Sequence, residues 1–318
     1  MKISICLPTC NRPELLMECL ASCLAQTHSD IEILIGDDSG DSRTQALVGS
    51  TLLNESRVVY TKNEPPLGQA DNVASLFNRA TGDKILLIHD DDALKIDAIE
   101  QLLSAWDAHP DLDIAFGDQY EMNAAGHVDM EASGKLNSDF YRTEAAAGLQ
   151  VKPGRTGLIQ MMPNNGWLAN ASLVKKIGYR KQYGMCCDFV FGSQMCLAAK
   201  KVFYVKKYVS YYRKTEVSIS NTTARSVNAA SVSAYTFLKS LSLDSSLEPA
   251  RRLALRRLVP IVVSVYARNH EPMRGLNIAL ANLHAYKYGL STRLYFHLML
   301  IGKAFAAAGR YRSNVQNG

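Results

Sequence analysis

The stretch Lys84-Ile-Leu-Leu-Ile-His-Asp-Asp-Asp-Ala93 decides the fold. Four consecutive apolar residues, 85–88, predict a buried strand, and the polar residues 89–92 follow at its carboxyl end. Three adjacent carboxylates repel one another, so a fold keeps them together only when a cation binds there or the cluster is fully solvated. Two interpretations follow: a site for Mg²⁺ or Mn²⁺ shared with substrate phosphates, or an acidic turn that begins the next helix.

Apolar and amphipathic segments alternate on both sides of this stretch. The predicted strands are 3–7, 31–35, 58–60, 85–88 and 114–116, and the predicted helices between them are 13–26, 43–53, 68–80 and 96–106. This alternation predicts an α/β fold with a mostly parallel sheet and helices on both of its faces.

Polar clusters follow three of the predicted strands. Thr9-Cys-Asn-Arg12 follows the first strand, Asp37-Asp-Ser39 the second, and His89-Asp-Asp-Asp92 the fourth. Because ligands of such sheets bind outside the carboxyl ends of the strands, the convergence of these clusters predicts the functional site.

The second half of the chain has a different pattern. Residues 121–158 lose the periodicity, which predicts a long loop or flap over the site. A helix is predicted within 184–197, and the alternation at 202–212 predicts a strand at the edge of the sheet. From about Arg225 to the end the pattern is helical, and no apolar run reaches the roughly 20 residues that span a bilayer.

Charge is unevenly distributed along the 318 residues, whose net charge is +5. From Lys200 onward there are 19 Lys and Arg against 4 Asp and Glu, so the remainder of the chain is acidic. An acidic front suits metal cations, whereas a basic tail suits phosphates or an anionic membrane surface. The seven cysteines form no CxxC pair, which favours a reduced, cytoplasmic protein.

The strand-end clusters resemble those of the family 2 glycosyltransferases, which have the GT-A fold and use a nucleotide sugar. The resemblance rests on the opening Ile3-Ser-Ile-Cys-Leu-Pro-Thr-Cys-Asn-Arg-Pro-Glu-Leu-Leu16, on Ile31-Glu-Ile-Leu-Ile-Gly-Asp-Asp-Ser39, and on Asn63-Glu-Pro-Pro-Leu-Gly68 with Asn72 and Ala80-Thr-Gly-Asp83. It is weaker at Cys187-Asp188, Tyr211-Tyr-Arg213 and Ser218 to Ser220, and it extends over about residues 1–220.

The resemblance implies a Rossmann-like GT-A domain over 1–224, with a nucleotide-sugar half at about 1–120 and an acceptor half at about 121–224. A basic helical region would follow at 225–318. The implied activity is metal-dependent, inverting transfer of a sugar from a UDP- or dTDP-sugar to a glycan or lipid-linked acceptor, in bacterial-type surface polysaccharide synthesis. Mn²⁺ or Mg²⁺ would be the cofactor.

The resemblance also implies roles for individual residues. Residues expected to bind the nucleotide sugar are Thr9, Asn11, Arg12, Asp38, Asn72, Asp90, Arg213 and Lys214. Asp91 and Asp92 are expected to hold the metal, within the so-called DxD element. Here the sequence departs from the family pattern, because His89 stands in place of the usual first aspartate.

Asp188 occupies the position of the family's catalytic carboxylate and is expected to act as general base, with a helix N-cap as the alternative. The glutamate that often precedes it is here Cys187. Trp167 is expected to form a stacking wall for an acceptor sugar, with a core position as the alternative.

Several alternatives stay open from the sequence. A sugar nucleotidyltransferase would need a glycine-rich loop after the first strand, and residues 9–14 contain no glycine. A catalytically degenerate nucleotide-sugar-binding scaffold is the non-enzymatic alternative. The basic region is expected to lie on an anionic membrane, at the inner face of the cell membrane, or to form a homodimer, and no nucleic-acid module is evident.

Overall fold

The computed structural model describes residues 1–51, 55–215, 229–269 and 271–316. The chain divides into two compact units. The first contains Met1–Gln182 and Cys187–Glu216, and the second contains Tyr183–Cys186 and Val217–Gly318. The predicted boundary at 224/225, Ser218 to Ser220 and Arg225 all lie outside the described residues.

The first unit is built on one ten-stranded sheet. Its order is β3-β2-β1-β4-β9-β6-β10-β5, with β7 paired to β6 and β8 paired to β10. The strands are β1 Ile3–Thr9, β2 Ile31–Asp37, β3 Val58–Lys62, β4 Lys84–Leu87, β5 Ala93–Leu94, β6 Ile114–Met122, β7 Val128–Asp129, β8 Gly148–Leu149, β9 Trp167–Asn170 and β10 Val202–Arg213.

Eight α-helices of the described chain belong to this unit and flank the sheet. They are α1 Pro13–Leu24, α2 Arg43–Thr51, α3 Gln69–Arg79, α4 Ala98–Ala108, α5 Met130–Asp139, α6 Pro153–Leu158, α7 Ala171–Ile177 and α8 Cys187–Ala198. The predicted α/β class is therefore confirmed. The alternating segments of the first 110 residues correspond to β1 through α4.

The sheet is mixed, and less of it is parallel than the alternation predicts. Strands β1 to β4 form a parallel half, in which β1 pairs with both β2 and β4. Beyond it, β9 runs antiparallel to both β4 and β6, and β10 is parallel to β6. The four-residue β9 is too short to give a periodic signal, so the sequence did not predict the reversal.

The core explains why the parallel half forms. All seven residues of β1 are buried, and the same holds for the four residues of β4. Strands covered by helices on both faces bury every side chain, which is why these segments are continuous apolar runs rather than alternating ones. Apart from Ser4 and Lys84, their polar residues lie at the carboxyl ends.

The prediction of an irregular flap over 121–158 was wrong, because α5 and α6 occupy much of it. Helix α5 buries polar rather than apolar side chains. Ser133 and Asn137 are buried there, and they hydrogen-bond the backbone of β6 at Glu121 and Gln119. A helix that packs through hydrogen bonds carries no hydrophobic period, so the pattern could not reveal it.

The described part of the second unit is helical, as the pattern predicts. Its helices are α9 Ala230–Ser240, α10 Glu248–Arg268, α11 Pro272–Ala281 and α12 Thr292–Gln316. Ala229, Val232, Val262 and Val265 form a small apolar core. Among the described residues, no helix is both long enough and apolar enough to cross a membrane.

Candidate active site

The loops after β1 and β4 meet through hydrogen bonds between their polar side chains. Thr9 Oγ1 donates to Asp90 Oδ2 at 2.7 Å. Arg12 donates through one guanidinium nitrogen to Asp91 Oδ2 at 2.7 Å, and the same nitrogen lies 3.6 Å from Asp90 Oδ1. Burial raises the pKa of Asp90, an effect that Arg12 and Thr9 oppose. The structure therefore brings four of the predicted site residues together.

The loops after β1 and β2 are also tied together, by the residues around Asn11. Asn11 has a left-handed backbone with φ of 56°, its N–H donates to Ser39 Oγ at 2.7 Å, and its side-chain oxygen accepts from Gly40 N at 3.0 Å. Asparagine tolerates this conformation better than most residues. The turn leaves Cys10 and Asn11 exposed at the rim of the strand ends.

Asp92 is buried and fully engaged by the protein. Its Oδ1 accepts from the backbone N–H of Arg213 at 2.9 Å, and its Oδ2 accepts from the side-chain amide of Asn165. Burial and the neighbouring Asp91 raise the pKa of Asp92 to about 7. Each oxygen thus already accepts a hydrogen bond in a buried site, which disfavours the predicted role of Asp92 as a metal ligand, and the two bonds fasten β10 to the acidic loop.

Asp91 is the residue of the acidic run that fits a metal. Its carboxylate is partly exposed and has one protein partner, Arg12, on Oδ2. No three acidic, imidazole or thiol side chains of the described chain form a metal-binding group. Mg²⁺ commonly binds through one or two carboxylates together with substrate phosphates and water, so a single carboxylate is compatible with such an ion.

Asp38 forms hydrogen bonds with a neighbouring loop and does not face an open pocket. Its Oδ1 accepts from the Asn63 amide at 2.7 Å and from Leu67 N at 3.1 Å, and its Oδ2 accepts from Gly68 N at 2.8 Å. Asp38 is buried, and these bonds fix the segment that begins α3. Asp38 therefore stabilises this loop, a structural role in addition to the expected contact with the nucleotide sugar.

Asn72 belongs to the same buried network. Its amide donates to the Gly36 carbonyl at 2.8 Å, and its Oδ1 accepts from Asn63 at 3.1 Å. A β-carbon on Gly36 would lie 2.1 Å from Asn72 Oδ1, which explains the glycine in the Gly-Asp-Asp run. Asn72 is buried and hydrogen-bonded to the protein, so it stabilises the loops that follow β2 and β3.

Asp188 lies in the first turn of α8, near the acidic loop. The Tyr179 hydroxyl donates to its Oδ1, and His89 Nε2 lies 3.6 Å from the same oxygen. Asp188 is not the N-cap, because α8 already begins at Cys187. Its carboxylate is about one third exposed and lines a shallow depression with Asn164.

His89 is a candidate site residue to which the sequence reasoning assigned no role. Its side chain is 15% exposed, and the buried Nε2 has no hydrogen-bond partner among the described residues, although Asp188 is near. Burial disfavours its charged form, but the Asp188 carboxylate outweighs this cost and raises the pKa of His89 to about 9. Its place at the head of the acidic run was the only available signal.

Arg213 and Lys214 differ in what remains open to a ligand. The buried Arg213 guanidinium donates to the Asp91 carbonyl, to the Ala124 carbonyl and to Glu18. Its predicted contact with a diphosphate would need these bonds to break. Lys214 is exposed, and its ammonium lies 3.3 Å from Glu121.

Trp167 is a core residue, which favours the alternative interpretation over the predicted stacking wall. It lies on β9 with 1% of its surface exposed, and its indole N–H donates to the Asn164 carbonyl at 3.2 Å. It packs against Phe191, with ring centroids 5.8 Å apart. The sequence could not separate the two interpretations, because tryptophan suits either position.

The fold and the site define an α/β protein whose polar residues converge at the carboxyl ends of parallel strands. The model of the family "Glycosyl transferase family 2" matches residues 4–163, which is half of the chain. The protein belongs to this family, as the motifs predict.

Two curated relatives match shorter segments. The "Glycosyltransferase GlyG" of Streptococcus pneumoniae is 29% identical over 120 residues, which cover 37% of this chain and 39% of that protein. The "Abequosyltransferase RfbV" of Salmonella typhimurium is 33% identical over 115 residues, which cover 35% of this chain and 34% of that protein. The matches thus span between a third and two fifths of these relatives.

Solved structures share the fold over most of the chain. Staphylococcus aureus TarS 1–349 in complex with UDP-GlcNAc has a TM-score of 0.56 and 18% identity, covering 90% of this chain and 89% of that chain. The mannosyltransferase PcManGT from Pyrobaculum calidifontis, in complex with GDP-Man and Mn²⁺, has a TM-score of 0.59 and 14% identity, covering 98% and 82%. At these identities the likeness confirms the GT-A fold and nothing finer.

Proposed function

We propose that this protein transfers a sugar from a nucleotide-sugar donor to a hydroxyl of a glycan or lipid-linked acceptor, with inversion at the anomeric carbon. The observation that carries the proposal is the 3.6 Å approach of His89 to Asp188. It brings a carboxylate capable of acting as a base to the same edge of the sheet as the Asp91 loop. A base on one side and a phosphate-facing loop on the other are what direct displacement needs.

In the proposed reaction, Asp188 takes the proton from the acceptor hydroxyl as its oxygen attacks the anomeric carbon. The bond between that carbon and the diphosphate oxygen breaks, and the nucleoside diphosphate leaves with the electron pair. A partly exposed carboxylate beside Tyr179 suits this role, because the tyrosine hydroxyl fixes its orientation and leaves the second oxygen for the acceptor.

The second requirement is that the negative charge on the leaving diphosphate is neutralised. Asp91 would hold Mn²⁺ or Mg²⁺, which when bound neutralises the diphosphate. The half-exposed Arg12 is a cationic group at this loop, and the exposed Lys214, which follows β10, would supply a second one. Arg12 stands just before α1, so backbone N–H groups of the helix start can join it on a phosphate.

The nucleotide half would use the rim of the strand ends. Thr9, Asn11 and Arg12 border it, while Asp38 and Asn72 stabilise the loop beneath. The structural neighbours were solved with UDP-GlcNAc and with GDP-Man and Mn²⁺, which supports a nucleotide-sugar donor and a divalent metal. We propose a UDP- or dTDP-sugar for this chain.

The proposed setting is surface polysaccharide synthesis at the cytoplasmic face of the cell membrane. The relative from Salmonella is named for transfer of abequose, and a Campylobacter jejuni relative is named a glucosyltransferase acting on an undecaprenol-linked glycan. Residues 1–224 would form the catalytic domain, and residues 225–318 a basic region that contacts the membrane.

The test is product analysis with purified protein, Mn²⁺ and a panel of UDP-, dTDP- and GDP-sugars. Release of nucleoside diphosphate from a donor, raised by an acceptor glycan, supports transfer, and the anomeric proton signal of the product reports inversion. Pyrophosphate release from a nucleoside triphosphate and sugar phosphate would instead identify a nucleotidyltransferase. Binding of a nucleotide sugar without turnover under any condition would identify a scaffold.

A further inference from the structure

The second unit carries large apolar side chains on its surface, in the turn before α12 and on exposed positions of that helix. Leu290 is 87% exposed, Tyr288 72% and Tyr295 64%. We call the whole set the 288–305 surface, and its apolar members are Tyr288, Leu290, Tyr295, Phe296, Leu298, Met299 and Phe305. Scattered exposed apolar residues are ordinary, but seven within eighteen positions mark a contact surface.

The face of α12 opposite Tyr295, Phe296 and Met299 is already used for packing. Leu294, His297 and Ile301 are buried at helical spacing, and His297 accepts or donates hydrogen bonds with Ser264 and Tyr286. A helix that is apolar on both faces is normally covered on both. The outer face of α12 therefore needs a partner of its own.

Charge decides the chemistry of that partner. Residues 272–318 contain six Lys and Arg and no Asp or Glu. Five of these cations belong to the turn or to α12, and three of the five, Lys287, Arg293 and Lys303, lie within the 288–305 surface or directly beside it. An apolar face edged by cations is complementary to an anionic lipid surface, where tyrosine rings also favour the headgroup level.

A second copy of this chain is a poorer occupant of the same face. In a symmetric dimer the same surface meets itself, so Arg293 and Lys303 would approach their own counterparts without a carboxylate in this part of the sequence to offset them. Like charges brought together across an interface oppose association. Phospholipid headgroups of negative charge remove this conflict.

We propose that the 288–305 surface docks on an anionic lipid bilayer, with Tyr295, Phe296 and Met299 entering the headgroup region. Lys287, Arg293 and Lys303 contact the phosphates around them. This inference gives the proposed membrane contact a defined face, and only its link to a lipid-linked acceptor rests on the proposed function. Vesicle binding can be measured without donor or acceptor, so its failure is distinguishable from a failure of catalysis.

The experiment is co-flotation of the full-length protein with vesicles of phosphatidylcholine alone or with 30% phosphatidylglycerol. We expect at least 10-fold more protein on the anionic vesicles at low salt, and release at high salt because screening weakens the cationic contacts. The variant Tyr295→Ser/Phe296→Ser/Met299→Ser should lose at least 10-fold in binding. Lys287→Glu/Arg293→Glu/Lys303→Glu should lose binding to anionic vesicles while keeping its thermal midpoint.

The matched control is Ile96→Ser/Val151→Ser, which removes two exposed apolar side chains from the first unit and should bind as the wild type does. Equal flotation of the wild type and the two surface variants would overturn the proposal. So would a wild-type dimer that the apolar variant converts to a monomer without any vesicle binding, since a second copy would then cover the face.

Discussion

The imidazole Nε2 of His89 lies 3.6 Å from the Oδ1 of Asp188, although the two residues are distant in sequence. His89 follows β4, and Asp188 lies in the first turn of α8, so this approach joins the acidic loop to the candidate base. Asp188 Oδ1 also accepts from Tyr179. Tyr179 and His89 thus both lie at Oδ1 of Asp188. In the proposed reaction, Oδ2 would accept the proton of the acceptor hydroxyl.

His89→Asn should reduce kcat by about 10-fold and leave the donor KM within about 2-fold. The reason is that His89 orients Asp188 rather than touching the nucleotide, and small errors in orientation slow the chemical step. Steady-state kinetics with saturating acceptor separate the two constants. His109→Asn, at the end of α4, is the matched control and should behave as the wild type does. A rise in donor KM with unchanged kcat would contradict the positioning role.

Asp91→Asn should abolish the response of activity to Mn²⁺ and lower kcat/KM by at least about 100-fold. Asp91 is the acidic residue after β4 whose carboxylate is partly exposed, and losing it would remove the proposed ligand of the ion that neutralises the diphosphate. The measurement is activity across a Mn²⁺ titration. Full metal-dependent activity in this variant would overturn the assignment of Asp91.

Asp92→Asn should lower the stability of the protein rather than its response to Mn²⁺. Its two oxygens accept from Arg213 N and Asn165, and an amide would place a donor against a donor. We expect a loss of about 1–3 kcal/mol in the free energy of unfolding, because a buried polar pair is broken. Denaturation in urea measures it. An unchanged unfolding midpoint together with a lost Mn²⁺ response would make Asp92 the metal ligand after all.

Gly36→Ala should raise the donor KM and lower stability by about 2 kcal/mol. The new β-carbon would lie 2.1 Å from Asn72 Oδ1, so Asn72 must move and release Asn63, which supports Asp38. Overpacking in a buried site costs about this much. Donor titration and thermal unfolding measure the two effects. Gly49→Ala is the control, since its β-carbon meets open space on α2 and alanine favours the helix.

Glu32→Gln should lower stability at neutral pH and have less effect in acid. Burial works against the charge of Glu32, but hydrogen bonds from Lys2, Ser4 and Thr81 outweigh it and lower its pKa to about 2. A carboxylate whose pKa is lower in the folded state than in the unfolded state stabilises the fold at pH values above its unfolded-state pKa, near 4.5. This stabilisation is lost as the pH falls toward the folded-state pKa of about 2. We expect a difference of about 1–3 kcal/mol at pH 7.

Urea denaturation of wild type and Glu32→Gln at pH 7, 4.5 and 3 tests this dependence. The difference in the free energy of unfolding between the two proteins should become smaller at each lower pH. Glu100→Gln, an exposed change on α4, should leave the unfolding midpoint unchanged at pH 7. A gap that stays constant down to pH 3 would show that shape, not charge, makes Glu32 stabilising.

The first hundred residues were readable because burial and chemistry are separated along the chain. Each parallel strand is an apolar run, and its polar residues fall together at the carboxyl end, as at Ile88 and His89. Sequence order alone therefore placed the three clusters at one edge. Which carboxylate faces outward was not readable, because Asp90, Asp91 and Asp92 differ only in partners such as Thr9 and Asn165 that the fold brings from elsewhere.

The errors have the same physical origin. Helix α5 packs through Ser133 and Asn137, so it left no apolar period in the sequence. Trp167 lies in the core because β9 inserts between β4 and β6, an antiparallel pairing that no local signal announces. His89 reaches Asp188 only once α8 is in place. In each case, contacts between residues far apart in sequence determine the position of a residue, and a local sequence pattern does not reveal them.

The rate of nucleoside diphosphate release by the wild type and by Asp188→Asn tests the central claim most directly. Both proteins would be assayed with the best donor of the panel, Mn²⁺ and acceptor, after thermal unfolding has shown that the variant is folded. We predict a loss of at least about 1,000-fold in kcat, with donor binding retained, because the acceptor hydroxyl would have no base. Turnover by Asp188→Asn within 10-fold of the wild type would contradict the account.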